Sequence, residues 1–419
     1  MKVLLLGSGG REHAIQWKLT TEGHEVVSSP GNPGIAEHSR IVTLDIDNHT
    51  EVSNFVRAEH IEFTVVGPEA PLAAGIADHF NRLGLPIFGP TKAAAEIETS
   101  KSYCCQLLHE AGVPIPLTHY YPDFASMKSA VTHSEGGIVL KKSGLAAGKG
   151  AEVVRTRAGL AESLTRLEKL NDGPYLVQNM EEGPELSYFA LTDGEDFLFL
   201  GSAQDYKPLF AGGPNTGGMG GFSPHPILTP GLRIQIENQI VKPTIRELAK
   251  DGRPYRGILY FQLMITAKGP VVIEINCRFG DPETQLLMPL LDCELLRLLK
   301  LTTMSGFIKK VQAKFKPGVS VGIVMASENY PDTPKTGRII SGLDTKPGPP
   351  QADLFTHVFH AGTKRVDGQL ITSGGRVVTV VGTHDNYKNA KSSAIQALSQ
   401  IQFEGQYHRT DIANEVIQT

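Results

Sequence analysis

A chain of 419 residues is too long for one ordinary core, and its length predicts roughly three domains. A hydrophobic content of 40%, a charged content of 20% and a net charge of −4 fit a globular enzyme and give no basic footprint for nucleic acid. No apolar run reaches the ~18 residues of a membrane helix, and Cys104, Cys105, Cys277 and Cys293 lack metal or disulfide spacing, which reads as reduced thiols in a cytoplasmic protein.

The chain opens with a strand, Lys2 to Leu6, and a tight turn, Gly7 to Gly10, into a helix. The turn falls short of a dinucleotide fingerprint. Glu12 stands where the third glycine belongs, and the second strand, Glu25 to Ser28, ends without a carboxylate for ribose. NAD is therefore not expected, although the turn can still offer N–H groups to an anion. Similar loops follow at Pro30 to Gly34, at Gly67-Pro68-Glu69 after Phe63 to Val66, and at Gly89-Pro90-Thr91. Strands alternating with helices imply a parallel sheet, which binds ligands at its carboxyl ends. A single Gly/Pro loop is ordinary turn chemistry, but four in one domain favour a shared site.

A helix is predicted from Thr91 to about Ala111. The strand Ile138 to Lys142 then runs into SGLAAGKG and returns at Glu152 to Arg155. That is a glycine hairpin, not a Walker loop, and Lys141 and Lys149 could bring charge to phosphates under it. Glu181, Glu182 and Glu185 follow the strand Tyr175 to Met180; an acidic cluster of this kind is usually a solvated turn. Beyond a hairpin of Leu186 to Leu191 and Asp196 to Leu200 lies Gly212 to Gly221, with six glycines. Such a stretch cannot order itself by packing and reads as a lid. A helix from Pro230 to Lys250 should kink at Pro243, with Thr229 as its N-cap.

Arg256 to Thr266 and Pro270 to Ile275 are strands, and the second carries the most informative pattern, VVIEINCRFGDPETQ. Residues two apart on a strand face the same way, so Glu274 and Asn276 aim two oxygen ligands at one spot. Such ligands suit Mg²⁺, and Arg278 beside them suits a phosphoryl or carboxylate group. For an isolated E-x-N, a wet edge strand is the commoner explanation. Helices are expected at Leu286 to Leu291 and Cys293 to Met304. A domain break falls near Phe315 to Gly318, before a last domain with strands at Val319 to Met325, near Val358 and at Arg376 to Val381, a helix Asn386 to Gln400, and polar turns at His360 to Lys364 and Gly374 to Arg376.

The strings LLLGSGGREHAI, PGNPG, VVGPEAPLAAGI, FGPTKAAAEIETSK, SGLAAGKG, GPNTGGMG and VIEINCRFGDPETQ, with HAGT and GGRV near the end, occur in this order. The chain they form resembles the phosphoribosylamine–glycine ligase family of ATP-grasp enzymes. The resemblance implies an α/β and α+β multidomain fold. Its parts would be a Rossmann-like parallel-sheet domain (1–100), a two-lobed ATP-grasp core (101–318, with an inserted lobe at about 121–187) and a small mixed β/α domain (319–419). It implies that ATP and Mg²⁺ or Mn²⁺ are used to join glycine to 5-phosphoribosylamine through a glycyl acyl phosphate in purine synthesis. By the same resemblance, Lys101, Lys141, Gly148, Lys149 and Gly150 would contact ATP phosphates, and Gln178, Met180 and Glu185 would form the adenosine hinge. Glu274 and Asn276 would hold the metal. Asp205, Lys207, Arg278, Gly280 and Asp281 would surround glycine and the acyl phosphate. Gly9, Asn32, Gly67, Glu69 and Arg376 would bind substrate. A monomer or weak homodimer without membrane or nucleic-acid partners is expected.

Departures from the family pattern stand at Tyr206 and Pro208, in place of a histidine and an arginine, and at Ser143, in place of an aspartate. Phe261-Gln262 replaces a small apolar pair, and the hinge reads QNMEEGPE. An active ligase is expected in spite of them. An ATP-grasp ligase or carboxylase with another acceptor, and a catalytically dead nucleotide-binding scaffold, are the alternatives; the second would have lost Glu274, Asn276 or Arg278, and all three are present.

Overall fold

The structure, a computed structural model, describes residues 1–144, 150–170, 173–343 and 355–418. The predicted phosphate-loop residues Gly148 and Lys149 lie outside them. Val3, Leu4, Leu5 and Leu6 are fully buried, as expected of a strand covered on both faces. They form β1 (Lys2–Gly7), the centre of a five-stranded parallel sheet with β2 (Glu25–Pro30), β3 (Arg40–Ile41), β4 (Phe63–Val66) and β5 (Ile87–Phe88), in the order β3-β2-β1-β4-β5. The order reverses between β1 and β4, so the loops after them, at Gly7–Gly10 and Gly67–Glu69, flank a crevice.

The single helix predicted over 91–111 is two helices, Lys92–Thr99 and Lys101–Glu110. Ser100 has extended backbone (φ −133°, ψ 99°), and its side chain accepts the Tyr103 N–H as a new N-cap. Serine competes with the helix for its own backbone, and the apolar period alone does not reveal that. The next sheet is four-stranded and antiparallel, with β6 (Thr118–Tyr121), β7 (Ile138–Lys142), β8 (Ala151–Val154) and β9 (Tyr175–Asn179) in the order β6-β9-β7-β8. β7 and β8 are the predicted hairpin.

The largest sheet has eight antiparallel strands. Five precede residue 319: β10 (Glu185–Asp193), β11 (Phe197–Asp205), β12 (Gly220–Ser223), β13 (Arg256–Thr266) and β14 (Gly269–Asn276). The rest are β15 (Val319–Ala326), β16 (Phe355–His360) and, beyond the hairpin of β17 (Thr363–Val366) and β18 (Gln369–Thr372), β19 (Arg376–His384). Their order is β14-β13-β10-β11-β12-β15-β19-β16, so one hydrogen-bonded sheet runs across the expected break near 315–318. Lys364, expected in a turn, lies on β17.

The helix over Pro230–Lys250 is interrupted by a π-helical turn, Glu237–Val241, before Lys242–Lys250. Pro243 supplies no N–H, and the wider turn absorbs the missing bond. Thr229 caps the start by accepting the Leu232 N–H. The helices predicted at Leu286 to Leu291 and Cys293 to Met304 are shorter, at Glu283–Leu287 and Leu295–Leu301. The first starts early enough to bury Glu283.

Candidate active site

A cavity of about 380 Å³ lies where all these units meet. Arg11 and Glu69 reach it from the parallel-sheet unit, Gly150 from the glycine hairpin, Asp205 and Glu274 from the large sheet, and Arg376 from β19.

Glu274 and Asn276 of the E-x-N pair both line the cavity. A bulge at Ile273, where Gln262 pairs Glu274 but Leu263 pairs Val272, frees the Ile273 carbonyl, which accepts a 2.7 Å bond from Lys141 Nζ. Lys101 Nζ, in the first turn of its helix, stands 3.8 Å from Glu274. A cation at a helix N-terminus opposes the helix dipole, and the carboxylate offsets this. Burial alone would raise the Glu274 pKa, but Lys101, Lys207 and Lys141 outweigh it and hold the carboxyl below its usual range. The Lys141 ammonium is itself pushed down by burial. Lys141 borders a narrow side pocket beside Lys101, Cys104 and Cys105 rather than the main cavity.

Among the described residues, no three His, Cys, Asp or Glu side chains converge as a metal cage. What is offered is one charged carboxylate and a buried Asn276 amide whose nitrogen lacks a protein partner. Two oxygen donors fit a Mg²⁺-type ion that takes its other ligands from water and phosphate.

Two residues after Asn276, Arg278 lies 3.3 Å from Glu69 and 3.4 Å from Glu98. Burial opposes its charge, yet these two acids raise its pKa, so the guanidinium is a fixed cation. Glu98, which no motif singled out, also accepts the Cys277 N–H at 2.7 Å. Arg376 donates to the carbonyls of Gly217 and Asp281, both at 2.7 Å, and lies 3.3 Å from the Asp281 carboxylate. Asp205 is buried, and its Oδ1 has no hydrogen-bond partner. Burial first and Glu283 second push its carboxyl well above the usual range.

The glycine loop is tied down. Thr216 N–H donates to the Lys207 carbonyl (2.8 Å), and Gly217 N–H donates to the Tyr330 hydroxyl (2.9 Å). Gly218 has φ +117°, and a Cβ there would lie 2.6 Å from Asp205 Oδ1, so only glycine lets the loop lie on that carboxylate.

Several expected ligand groups are engaged elsewhere. The Gly9 N–H donates to Glu12 at 2.6 Å, and the buried Glu12 carboxylate also takes Arg11 Nε at 2.5 Å and fills the space against Gly67. That N–H is thus spent inside the turn, where a side chain replaces the dinucleotide glycine. Asn32 donates 2.8 Å bonds to the carbonyls of Ser8 and His360 and accepts the Ile35 N–H, which leaves it a staple between β2 and β16. Gln178 donates to Thr118 at 2.9 Å. Gln178, Met180, Glu185, Gly9, Asn32, Gly67 and Gly280 are not in the wall of the main cavity. Tyr260, Gln262 and Glu283 are in it, and no motif reading assigned them a role.

Family models of phosphoribosylglycinamide synthetase match most of the chain, the N domain at residues 1–98, the ATP-grasp (A) domain at 99–284 and the C domain at 320–415. The chain belongs to the phosphoribosylglycinamide synthetase family. It is 40% identical to a phosphoribosylamine–glycine ligase of Agrobacterium fabrum, over 100% of this chain and 99% of that one. With the enzyme of that name from Neisseria meningitidis serogroup B it shares 42%, over all of both chains. A crystal structure of phosphoribosylamine–glycine ligase from Thermotoga maritima superposes with a TM-score of 0.83 at 30% identity, covering 99% of this chain and 100% of that one. The biotin carboxylase domain of a Hydrogenobacter thermophilus 2-oxoglutarate carboxylase, at 18% identity and a TM-score of 0.72 (97% of this chain, 91% of that one), shares the fold.

Two of the family departures make their contacts outside the cavity. Tyr206 hydrogen-bonds Glu415 and accepts the Ala413 N–H at 2.9 Å. The Pro208 carbonyl accepts from Arg409 at 2.8 Å, and that guanidinium stands 5.0 Å from the Tyr206 ring. Neither residue lines the cavity.

Proposed function

We propose that this chain joins glycine to 5-phosphoribosylamine with the energy of ATP, giving glycinamide ribonucleotide, ADP and phosphate. The observation that carries the reading is the cavity itself, which sets Lys101, Glu274 and Asn276 against Asp205, Lys207, Arg278 and Arg376. In the first step a glycine carboxylate oxygen bonds to the γ-phosphorus of ATP, and the bond to ADP breaks. In the second, the amine nitrogen bonds to the carbonyl carbon, the bond to phosphate breaks, and the amine gives up a proton. Both steps gather negative charge on oxygen, and fixed cations stabilise it without reorganising. Lys101 and Lys141 serve the phosphates. A divalent ion at Glu274 and Asn276, Mg²⁺ or Mn²⁺, would neutralise phosphate charge. The unpartnered Asp205 oxygen suits the ammonium of glycine, and a cation there would restore its ionisation. Arg278 and Arg376 suit the carboxylate and the acyl phosphate. The tied glycine loop excludes water, which would otherwise hydrolyse that intermediate.

Among the described residues no helix is long and apolar enough to cross a membrane. The reading places the chain in the cytoplasm as a monomer or weak homodimer, which sedimentation would measure. The deciding experiment is purified protein with ATP, Mg²⁺, glycine and freshly generated phosphoribosylamine. Glycinamide ribonucleotide and ADP should form together, and neither should form when glycine is omitted. ADP release with bicarbonate instead of glycine would favour the carboxylase alternative.

A further inference from the structure

Gln262 faces the cavity from β13, directly across the strand pair from Glu274. Its Oε1 accepts from the Lys207 ammonium, and its Nε2 donates to the Tyr260 hydroxyl at 2.8 Å. Tyr260 in turn hydrogen-bonds Glu283, and Ser187 Oγ lies 3.0 Å from the phenol and 3.2 Å from the same carboxylate oxygen. Ser187, Tyr260 and Glu283 are buried.

The sense of this chain is fixed by its ends. An ammonium only donates, so Gln262 must turn its oxygen to Lys207 and its –NH₂ to Tyr260. The phenol oxygen accepts that bond and passes its hydrogen to Glu283. Cation, amide, phenol and carboxylate therefore point one way, an arrangement in which each bond polarises the next. A lysine side chain is long and flexible, and the charged Glu274 carboxylate also attracts Lys207. Gln262 anchors it to a network locked in the sheet. The two remaining N–H bonds of the ammonium are then free for a substrate oxygen.

We infer that Gln262 is a positioning residue, which holds the Lys207 ammonium in register with the reacting carboxylate by wiring it to the buried Tyr260–Glu283 pair. What Lys207 then does to substrate rests on the ligase reading; the wiring itself does not.

The test compares wild type, Gln262→Met, Lys207→Met and the double variant, each shown to be folded by circular dichroism. Reductive methylation of the unliganded proteins at one pH, read by peptide mass spectrometry, reports how firmly Lys207 is held relative to the exposed Lys268. Gln262→Met should speed Lys207 methylation roughly threefold or more. It should lower kcat about tenfold with the KM for ATP within about twofold, and should cost less than about twofold when added to Lys207→Met, because both changes remove one interaction. Tyr260→Phe keeps Gln262 but removes the phenol that accepts from its –NH₂, and should likewise speed Lys207 methylation, even if Gln262→Met does not fold. An unchanged methylation rate in folded Gln262→Met would overturn the inference, as would kcat losses that multiply in the double variant, or a wild-type rate of Lys207 methylation in Tyr260→Phe. A wild type without ligase turnover would sink the ligase reading alone and leave the methylation comparison standing.

Discussion

Glu274 and Asp205 are two carboxyls lining one cavity, and their surroundings drive them apart. Three lysines keep Glu274 ionised, whereas burial and Glu283 favour the neutral form of Asp205. Glu274→Gln keeps the shape but leaves Lys101 without its counter-charge and a divalent ion without its carboxylate. The expected result is a folded protein with kcat lowered on the order of 10²–10³-fold, as for loss of a preorganised electrostatic group. ADP release at saturating Mg²⁺ checks it, and near-wild-type turnover would refute the metal assignment. Asp205→Asn should do something different. A carboxyl whose folded pKa is raised binds more protons folded than unfolded. Its stabilising contribution is complete below the unfolded pKa near 4 and is lost as pH rises through the folded value. At pH 8 the Asn variant escapes that loss, so its Tm should exceed that of wild type while ligase activity falls. A lower Tm at pH 8 would show that the Asp205 carboxylate is stabilised by a partner.

At the scale of elements, the placing of Lys101 and the glycine loop depends on short irregular pieces. The break at Ser100 starts a new helix, so that Lys101 stands at its mouth instead of on the side of a long one. Glycine content alone predicts a loose lid over Gly212 to Gly221. In the structure Gly217 is gripped from both sides, by the Tyr330 hydroxyl and by Arg376. Tyr330→Phe removes one of these bonds, worth about 1 kcal/mol. Limited proteolysis should then cut this loop roughly fivefold faster without ligands, because cleavage follows the open population. ATP analogue with glycine should restore protection. Equal cleavage of variant and wild type would mean that Arg376 and Thr216 hold the loop alone.

Over the whole molecule, the cavity exists only while distant segments stay together, and several of the joints are polar and buried. Asn32 ties the loop after β2 to β16, and the His360 N–H donates to His13 Nδ1 at 2.8 Å. That bond needs a neutral His13, and burial with His360 nearby holds its pKa well below the usual value. His225 and His357 are also pushed down by burial, each to about 4. For a histidine with a depressed folded pKa, the unfolded chain takes up the proton first. Stability is whole above about pH 6.5 and is lost as pH falls toward the folded value. His225 and His357 should each forfeit roughly 2 kcal/mol by pH 5. Urea midpoints at pH 7.5 and pH 5 measure this, and His357→Phe should shrink the difference. An unchanged midpoint at pH 5 would place these rings in water.

Local pattern was enough for the elements whose chemistry is local. The apolar run of β1, the E-x-N alternation on β14 and the Thr229 cap were all legible in the chain, because strand period and capping act over a few residues. The motif strings carried the family for the same reason. Tertiary structure decided what required partners distant in sequence. Gly9 and Asn32 look like ligand donors until Glu12 and His360 take their hydrogen bonds. Glu98 and Glu283 stand inside the motif strings without a role, and Tyr260 stands outside them; their place in the wall became visible only when Arg278 met Glu98 and Tyr260 met Glu283. A hydrogen bond is satisfied by whatever is near in space, and sequence order says little about which groups those are.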